Sequence, residues 1–534
     1  MASLAALFTS LLALTLVVVP LDDRPVTAQL PRLLGAIAGV RVVEPPRPLL
    51  GRYLTPGDPD AIARWLRRDA PADAAAFVVS NDMAVYGGLV ASRVPGVSRG
   101  LAYARLQDLA AFRGSRPNAS FALFGTVMRL APTGVPALGP AVAFPFAGEA
   151  WPLLQKYANL PDPPLTEADR ATALRLRERL GPLLDAYLDT RARDRDVDLF
   201  ALREAAEGGF DRVVLGQDDA GPVGLHLRDL AALRGFAARW VPPARASIEP
   251  GADELGMALV GAALARQAKL VPRVRVVYSR ADGGALNDPI EFAPIATTIA
   301  DLIRTCGGVP AEPSGAADVD LFVNVPDTSD ADEARFVAAI GADAVAPGAA
   351  VAASGAAGAA QPAPTRSALA AVADLTFLAN EDYAQQRRLT ELLIGANLAG
   401  RVAAFASWNT TANTVGTALP EAIAVLAGRK LGTYDPRMHA TFTLMRYVDD
   451  IAFHDDVRPR LNADLTAAGI ADHTYLAPEP ARSTDSQNRA LLWPAGLDLL
   501  ARIAPQFGDA GFTITLPWDR TFETELDLRL KPRG

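Results

Sequence analysis

Charged and amide side chains recur in this chain at one kind of place, the end of a short apolar run. Asp22-Asp23-Arg24 follows the largely apolar residues 14–21, and Asn81-Asp82, Arg129, Gln217-Asp218-Asp219, Ser279-Arg280, Asn324 and Ser407-Trp408-Asn409 each close a similar run. In open α/β sheets, ligands bind outside the carboxyl ends of the strands. Seven polar strand ends therefore describe the lining of a crevice better than a surface. Carboxylates gathered in a crevice can have one pKa raised by burial and like charge, which sets a proton donor beside a base. Glycoside hydrolysis requires such a pair, and the same oxygens would also suit Mg²⁺ or Ca²⁺.

Asp218 and Asp219 are the foremost candidates, since they follow the apolar residues 213–216 and precede Ala220-Gly221-Pro222. Adjacent acids on a turn usually diverge, so one is expected in the crevice while the other caps the next helix. Asp82 lies just past a strand, with the phenol of Tyr86 and two glycines, Gly87 and Gly88, that let the backbone approach a ligand. Glu249, Asp253 and Glu254 flank a Pro-Gly turn before a helix, where capping competes with a role in the site. The expected catalytic set is Asp218 or Asp219 nearest the bond, partnered by Asp82 or Glu254. Asp22, Asp23, Arg24, Tyr86, Arg129 and Asp253 are expected to bind and orient substrate. Residues 407–414, Ser-Trp-Asn-Thr-Thr-Ala-Asn-Thr, set amides and hydroxyls beside an indole. That group suits a sugar, whose hydroxyls need amide partners and whose ring face stacks on an aromatic. Trp408, Asn409 and Asn413 are accordingly expected to bind substrate, with a core anchor for Trp408 and a helix N-cap for Asn409 as the structural alternatives.

Other chemistries lose weight. No G-x-x-x-x-G-K-[ST] loop, no G-x-G-x-x-G after a strand and no H-E-x-x-H occurs, which disfavours ATP hydrolysis, dinucleotide-dependent redox chemistry and zincin chemistry. Residues 96–100 match G-x-S-x-G, but they follow Arg93-Val94-Pro95 rather than the strand a nucleophile elbow needs. His226, His439, His454 and His473 lack metal-ligand spacing and are expected to be structural. A net charge of -8 with no long block of like charges argues against nucleic acid. Arg outnumbers Lys 48 to 4, leaving few candidates for a Schiff base. The single Cys306 excludes an intrachain disulfide framework and is expected to be a small core residue.

The elements that must position these groups alternate in the rhythm of a parallel sheet. Residues 14–20, 40–43, 76–80, 121–128, 212–215, 245–248, 273–278, 320–323 and 401–406 read as strands, and 28–38, 61–68, 227–238 and 253–268 as helices. Between them, residues 150–200 are helical in character, with Leu176, Leu180, Leu184 and Leu188 at i, i+4 spacing and Gly181-Pro182 interrupting the pattern. With 534 residues, the fold class is α/β and multi-domain, built of doubly wound, mostly parallel sheets with flanking helices. The expected domains are 14–145, 146–270 and 271–534. Residues 346–367, nearly all Ala, Gly, Pro and Ser, are expected to form a flexible loop. Residues 1–21 carry no charge, yet lack a basic n-region and a good cleavage site, and they run directly into Asp22. They are read as a first strand preceded by an extension, so no stable membrane span is expected. The expected location is cytoplasmic, with export as the alternative should residues 1–13 belong to a signal peptide.

Val19-Pro20-Leu21-Asp22-Asp23-Arg24-Pro25-Val26, Ser80-Asn81-Asp82-Met83 with Tyr86-Gly87-Gly88-Leu89-Val90-Ala91-Ser92-Arg93, Gly251-Ala252-Asp253-Glu254, Trp408-Asn409-Thr410 with Asn413-Thr414-Val415-Gly416, and Leu516-Pro517-Trp518-Asp519-Arg520-Thr521-Phe522-Glu523 form a specific set. The chain resembles the bacterial family of domain of unknown function 4127 across essentially its whole length. The resemblance implies a bacterial protein of about this size that begins at or near the first strand; it brings no activity with it. Ser407 stands where that pattern has Gly. The functional expectation is a hydrolase acting on a carbohydrate or glycoconjugate fragment through paired carboxylates, without a cofactor. The alternatives are a hydrolase using a divalent cation and a non-catalytic, two-lobed solute-binding protein.

Overall fold

The computed structural model describes residues 14–130, 132–133, 146, 148, 150–344, 368–378 and 383–533. The loop expected at 346–367 and the extension at 1–13 lie outside the described residues.

Short runs rich in β-branched residues form the strands, as their preference for a pleated surface requires. The first six are β1 (Thr15–Val19), β2 (Arg41–Val43), β3 (Ala76–Ser80), β4 (Ser120–Val127), β5 (Arg212–Gln217) and β6 (Ala246–Pro250). They form one parallel sheet in the order β2-β1-β3-β4-β5-β6. A second parallel sheet follows, built from β7 (Arg273–Tyr278), β8 (Val309–Pro310), β9 (Val319–Asn324), β10 (Leu369–Asp374) and β11 (Ala404–Ala406) in the order β11-β10-β9-β7-β8. In each sheet the second strand lies on one side of the first and the third on the other. Switch points therefore fall between β1 and β3 and between β7 and β9, where an open sheet leaves a crevice at its carboxyl edge. The expected boundary at 145/146 falls within the first sheet. Ala122 of β4 pairs with Arg212 of β5 and the register runs on to Val127 and Gln217, so the strands of the 146–270 segment extend the sheet begun by residues 14–145.

Strands β1, β3, β9 and β10 are buried along their whole length, as expected of sheets covered by helices on both faces. Each fully buried Val, Leu or Phe contributes about 1.5–3 kcal/mol. Helix Leu255–Gln267, after β6, packs on helix Thr411–Leu431, after β11, and helix Leu30–Ile37 touches both. These three helices join the two sheets through one apolar core. Residues 150–200 form helices Ala150–Ala158, Glu167–Leu180 and part of Pro182–Glu207. Gly181, at φ +50°, splits the latter two, and Leu176, Leu180 and Leu184 are buried while Leu188 is half-buried. An antiparallel hairpin, β12 (Phe507–Thr515) and β13 (Glu525–Pro532), closes the fold. Among the described residues two segments are π-helical, Pro25–Gln29 and Tyr447–Val457. Among the described residues no helix is long and apolar enough to cross a membrane.

Candidate active site

A cavity of about 290 Å³ opens where the carboxyl ends of β1, β4, β5 and β6 meet the end of β11. Arg24, Arg129, Asp218, Asp219 and Asp253 reach it from the first sheet, and Asn409 and Asn413 from the second. Seven of the expected site residues, separated by up to several hundred positions, thus share one cavity.

Asp218 and Asp219 both line it. They do not divide between cavity and helix cap, because each meets its own arginine there. Asp218 pairs with Arg93, accepts the backbone N–H of Asp219 at 2.9 Å and is 7% exposed. Asp219 lies 3.0 Å from the Arg129 guanidinium and is 32% exposed. Burial opposes ionisation of Asp218, but the Arg93 and Arg129 guanidiniums outweigh it and hold this carboxyl below its ordinary range. Burial and the neighbouring Asp218 charge push Asp219 upward, against the pull of Arg129. Two adjacent carboxyls are driven apart, which is how a base and an acid arise in one site.

Arg24 donates to Asp253 through both terminal nitrogens, at 2.9 and 2.6 Å, and to Asp22 through Nε and Nη2. Burial disfavours its charge, but Asp22 and Asp253 more than compensate. Asp22 lies behind Arg24 and also accepts from Thr27 Oγ1 at 2.7 Å. Asp23 also stays out of the cavity; it accepts the Trp518 indole N–H at 2.6 Å and Arg47 Nε at 3.2 Å. Both acids therefore position the wall instead of touching its contents. Trp518 stacks on Tyr53 with centroids 5.1 Å apart and is flanked by the guanidiniums of Arg24 and Arg520, 4.8 and 4.6 Å from its ring. Its φ is +63°, a strained conformation for a bulky residue. Strain of this kind persists where surrounding contacts over-determine it, and it concentrates in ligand clamps.

The remaining expected residues lie elsewhere. Asp82 turns inward from helix Asn81–Tyr86, accepting Thr126 N and Oγ1, both at 2.9 Å, and burial pushes its carboxyl up to about 7. Tyr86 is buried beneath Arg193, 4.5 Å from its ring. Glu254 is fully buried and accepts an amide proton of Asn413 at 2.7 Å, so it holds that asparagine in place. Gly251 and Gly416 make room for it, since a Cβ on either would lie 1.8 Å from Glu254 Oε1 or 2.3 Å from its Cγ. Glu249 accepts Thr305 Oγ1 at 2.8 Å, away from the cavity. Trp408 donates to Thr417 Oγ1 at 3.1 Å and faces a neighbouring cavity. Arg280 pairs with Asp282, and Asn324 donates to Glu333 and Asp374. Ser98 of the G-x-S-x-G match caps helix Arg99–Gly114. Among the described residues, no three His, Cys, Asp or Glu side chains could together hold a metal ion.

Sequence reasoning missed Arg93, Tyr53, Trp151, Glu291, Trp518, Arg520 and Phe522, all of which line the cavity. Arg93 follows a four-residue helix, and Trp518 to Phe522 lie between β12 and β13; neither place is the carboxyl end of a strand in the parallel sheets. The sequence signal for Arg93, Trp518, Arg520 and Phe522 was membership of the motifs at 86–93 and 516–523; Tyr53, Trp151 and Glu291 belong to neither. A family model described as protein of unknown function (DUF4127) matches residues 16–527. No curated protein and no solved structure matches.

Proposed function

The chain belongs to the DUF4127 family, and from the cavity at its strand ends we propose that it is a hydrolase acting on a carbohydrate or glycoconjugate fragment. The observation that carries this is the adjacent pair Asp218 and Asp219, placed in one cavity with environments that drive their carboxyls in opposite directions. Asp219, more exposed and pushed upward, keeps its proton and gives it to the leaving oxygen as the glycosidic bond breaks. Asp218, held ionised by Arg93 and Arg129, stabilises the positive charge developing at the anomeric carbon and takes a proton from the attacking water. Asn409 donates one amide proton to Asn413 at 2.6 Å and retains its other hydrogen-bonding capacity for hydroxyls. Trp518 and Tyr53 offer a stacked aromatic wall for a sugar face.

The test is turnover of a panel of chromogenic glycosides by the wild-type protein and by Asp218→Asn and Asp219→Asn, with and without EDTA. Turnover that survives EDTA and falls by about 10² or more in either variant is expected. Turnover abolished by EDTA would overturn the reading in favour of a metal-dependent hydrolase. No turnover, with a sugar that raises Tm, would replace it with a binding protein.

A further inference from the structure

A second cavity, of about 360 Å³, adjoins the first and shares Ile290, Asn409 and Phe522 with it. Both π-helical segments supply its wall, Pro25 and Val26 from one and Asp449 and His454 from the other. π-Helix accounts for well under 1% of residues and is frequent at functional sites, so two such segments on one cavity form an observation separate from the strand ends. Part of its lining is apolar, supplied by Val26, Leu30, Phe377 and Leu378.

The lining also carries polar groups, with Arg446, Arg458 and His454 beside three acids, Asp288, Asp449 and Glu523. Arg446 is bonded to Asp449 and Asp450 at 3.0 Å each. Glu523 is paired with Arg520 at 2.7 Å, and Asp288 accepts the backbone N–H groups of Thr411 and Ile290. Arg458 differs from these. Its Nη1 meets the ring nitrogen Nδ1 of His454 at 3.3 Å, and its guanidinium lies 5.4 Å from the Phe522 ring. Burial and the Arg458 and Arg446 charges hold His454 neutral. Among the described residues, no carboxylate lies within ion-pair distance of Arg458. Buried Arg446 Nε, Asp449 Oδ1 and Arg458 Nε have no hydrogen-bond partner, and unsatisfied groups of this kind cost about 1–3 kcal/mol each.

We propose that this second cavity binds an oxyanion carried on an apolar or aromatic body, with Arg458 reading the anion and Val26, Leu30, Phe377 and Leu378 packing the body. Because the cavities share Asn409 and Phe522, this ligand is the part of the substrate beyond the bond at Asp218 and Asp219; that identity rests on the hydrolase reading, whereas the binding itself does not. The substrate class is then a glycoconjugate with an acidic, apolar aglycone.

Binding is tested by isothermal titration with 1-naphthyl phosphate, 1-naphthoate and the neutral 1-naphthalenemethanol against the wild-type chain, Arg458→Met, Arg458→Lys, Leu378→Trp and Asp219→Asn. At least one anion is expected to bind about tenfold or more tighter than the alcohol, as a charge-assisted hydrogen bond requires. The tighter of the two anions identifies a phosphate or a carboxylate. Arg458→Met should lose that advantage, Arg458→Lys should keep part of it, and Leu378→Trp should block the anion by filling the apolar part of the cavity. Equal binding of the alcohol, or undiminished binding by both Arg458→Met and Leu378→Trp, would overturn the proposal. Should Arg458→Met fail to fold, the Lys and Trp variants and the neutral probe still decide. Asp219→Asn is expected to bind the anion as the wild type does. Failure of the glycosidase test with naphthyl anion binding intact would therefore sink only the hydrolase reading.

Discussion

Asp218 and Asp219 are neighbours in sequence, yet one is 7% exposed against Arg93 and the other 32% exposed against Arg129. With Asp218 held below the ordinary carboxylate range and Asp219 above it, the acid limb of kcat/KM should follow ionisation of Asp218 and the alkaline limb loss of the Asp219 proton. Asp219→Asn should remove the alkaline limb and leave a low, flat rate there. Arg129 pulls both carboxyls downward, so Arg129→Met should move both limbs to higher pH. A pH profile on any glycoside that is turned over checks both, and a limb moving to lower pH in Arg129→Met would contradict the assignment. Trp518 belongs at the same scale. Trp518→Phe deletes the indole N–H that Asp23 accepts at 2.6 Å and leaves a buried acceptor short of one partner. A loss of about 1–3 kcal/mol in urea unfolding is expected.

At the scale of elements, helix Leu255–Gln267 packs on helix Thr411–Leu431 between the two sheets, and a Cβ on Gly416 would lie 2.3 Å from Glu254 Cγ. Gly416→Ala should cost about 1–3 kcal/mol through overpacking. Because Glu254 holds Asn413, the variant should also raise KM more than it lowers kcat; urea midpoints and substrate titrations measure the two effects. Elements also explain what was legible. Apolar runs such as Leu16–Val19 and Phe77–Val79 mark strands whose ends must meet at a carboxyl edge, and this rule located Arg24, Arg129, Asp218, Asp219 and Asn409, whereas Asp253 came from the Pro-Gly turn before a helix. It misplaced Asp82 because Ser80 caps a short helix at once, turning the acid toward Thr126 rather than outward. It misplaced Asp22 and Asp23 because Arg24 and Thr27 engage the first, and Arg47 and Trp518 the second, behind the wall. Arg93 and Arg520 went unread because a short helix and a hairpin loop, not the end of a parallel strand, carry them into the cavity.

At the scale of the whole molecule, the chain's end is fastened to its beginning. Gln29 donates to the Leu526 carbonyl at 2.6 Å, Arg47 pairs with Glu525 at 2.7 Å, and Trp518 reaches Asp23. The folded molecule also buries many acids, and the pH dependence of stability should show it. Burial pushes Asp82, Glu249, Asp374 and Asp450 up to about 7, and Glu44, Glu291 and Glu421 up to about 8. In the unfolded chain the same groups ionise near pH 4, so the folded protein binds more protons, and stability falls as pH rises through that interval. Burial lowers His226 and His439 to about 4. That effect has the opposite sign, but it is already half spent at their unfolded value of about 6.5 and nearly complete one unit above it. Acids held low, such as Asp218, are ionised in both states there. Between pH 6.5 and 8 the seven raised acids therefore outweigh what remains of the two histidines' effect, and Tm should fall across that window. Glu421→Gln, which cannot ionise beside Thr443 and Phe405, should flatten the fall. Calorimetry at pH 6.5, 7.25 and 8 measures both slopes, and a Tm that holds or rises would mean that these acids are already ionised in the folded protein.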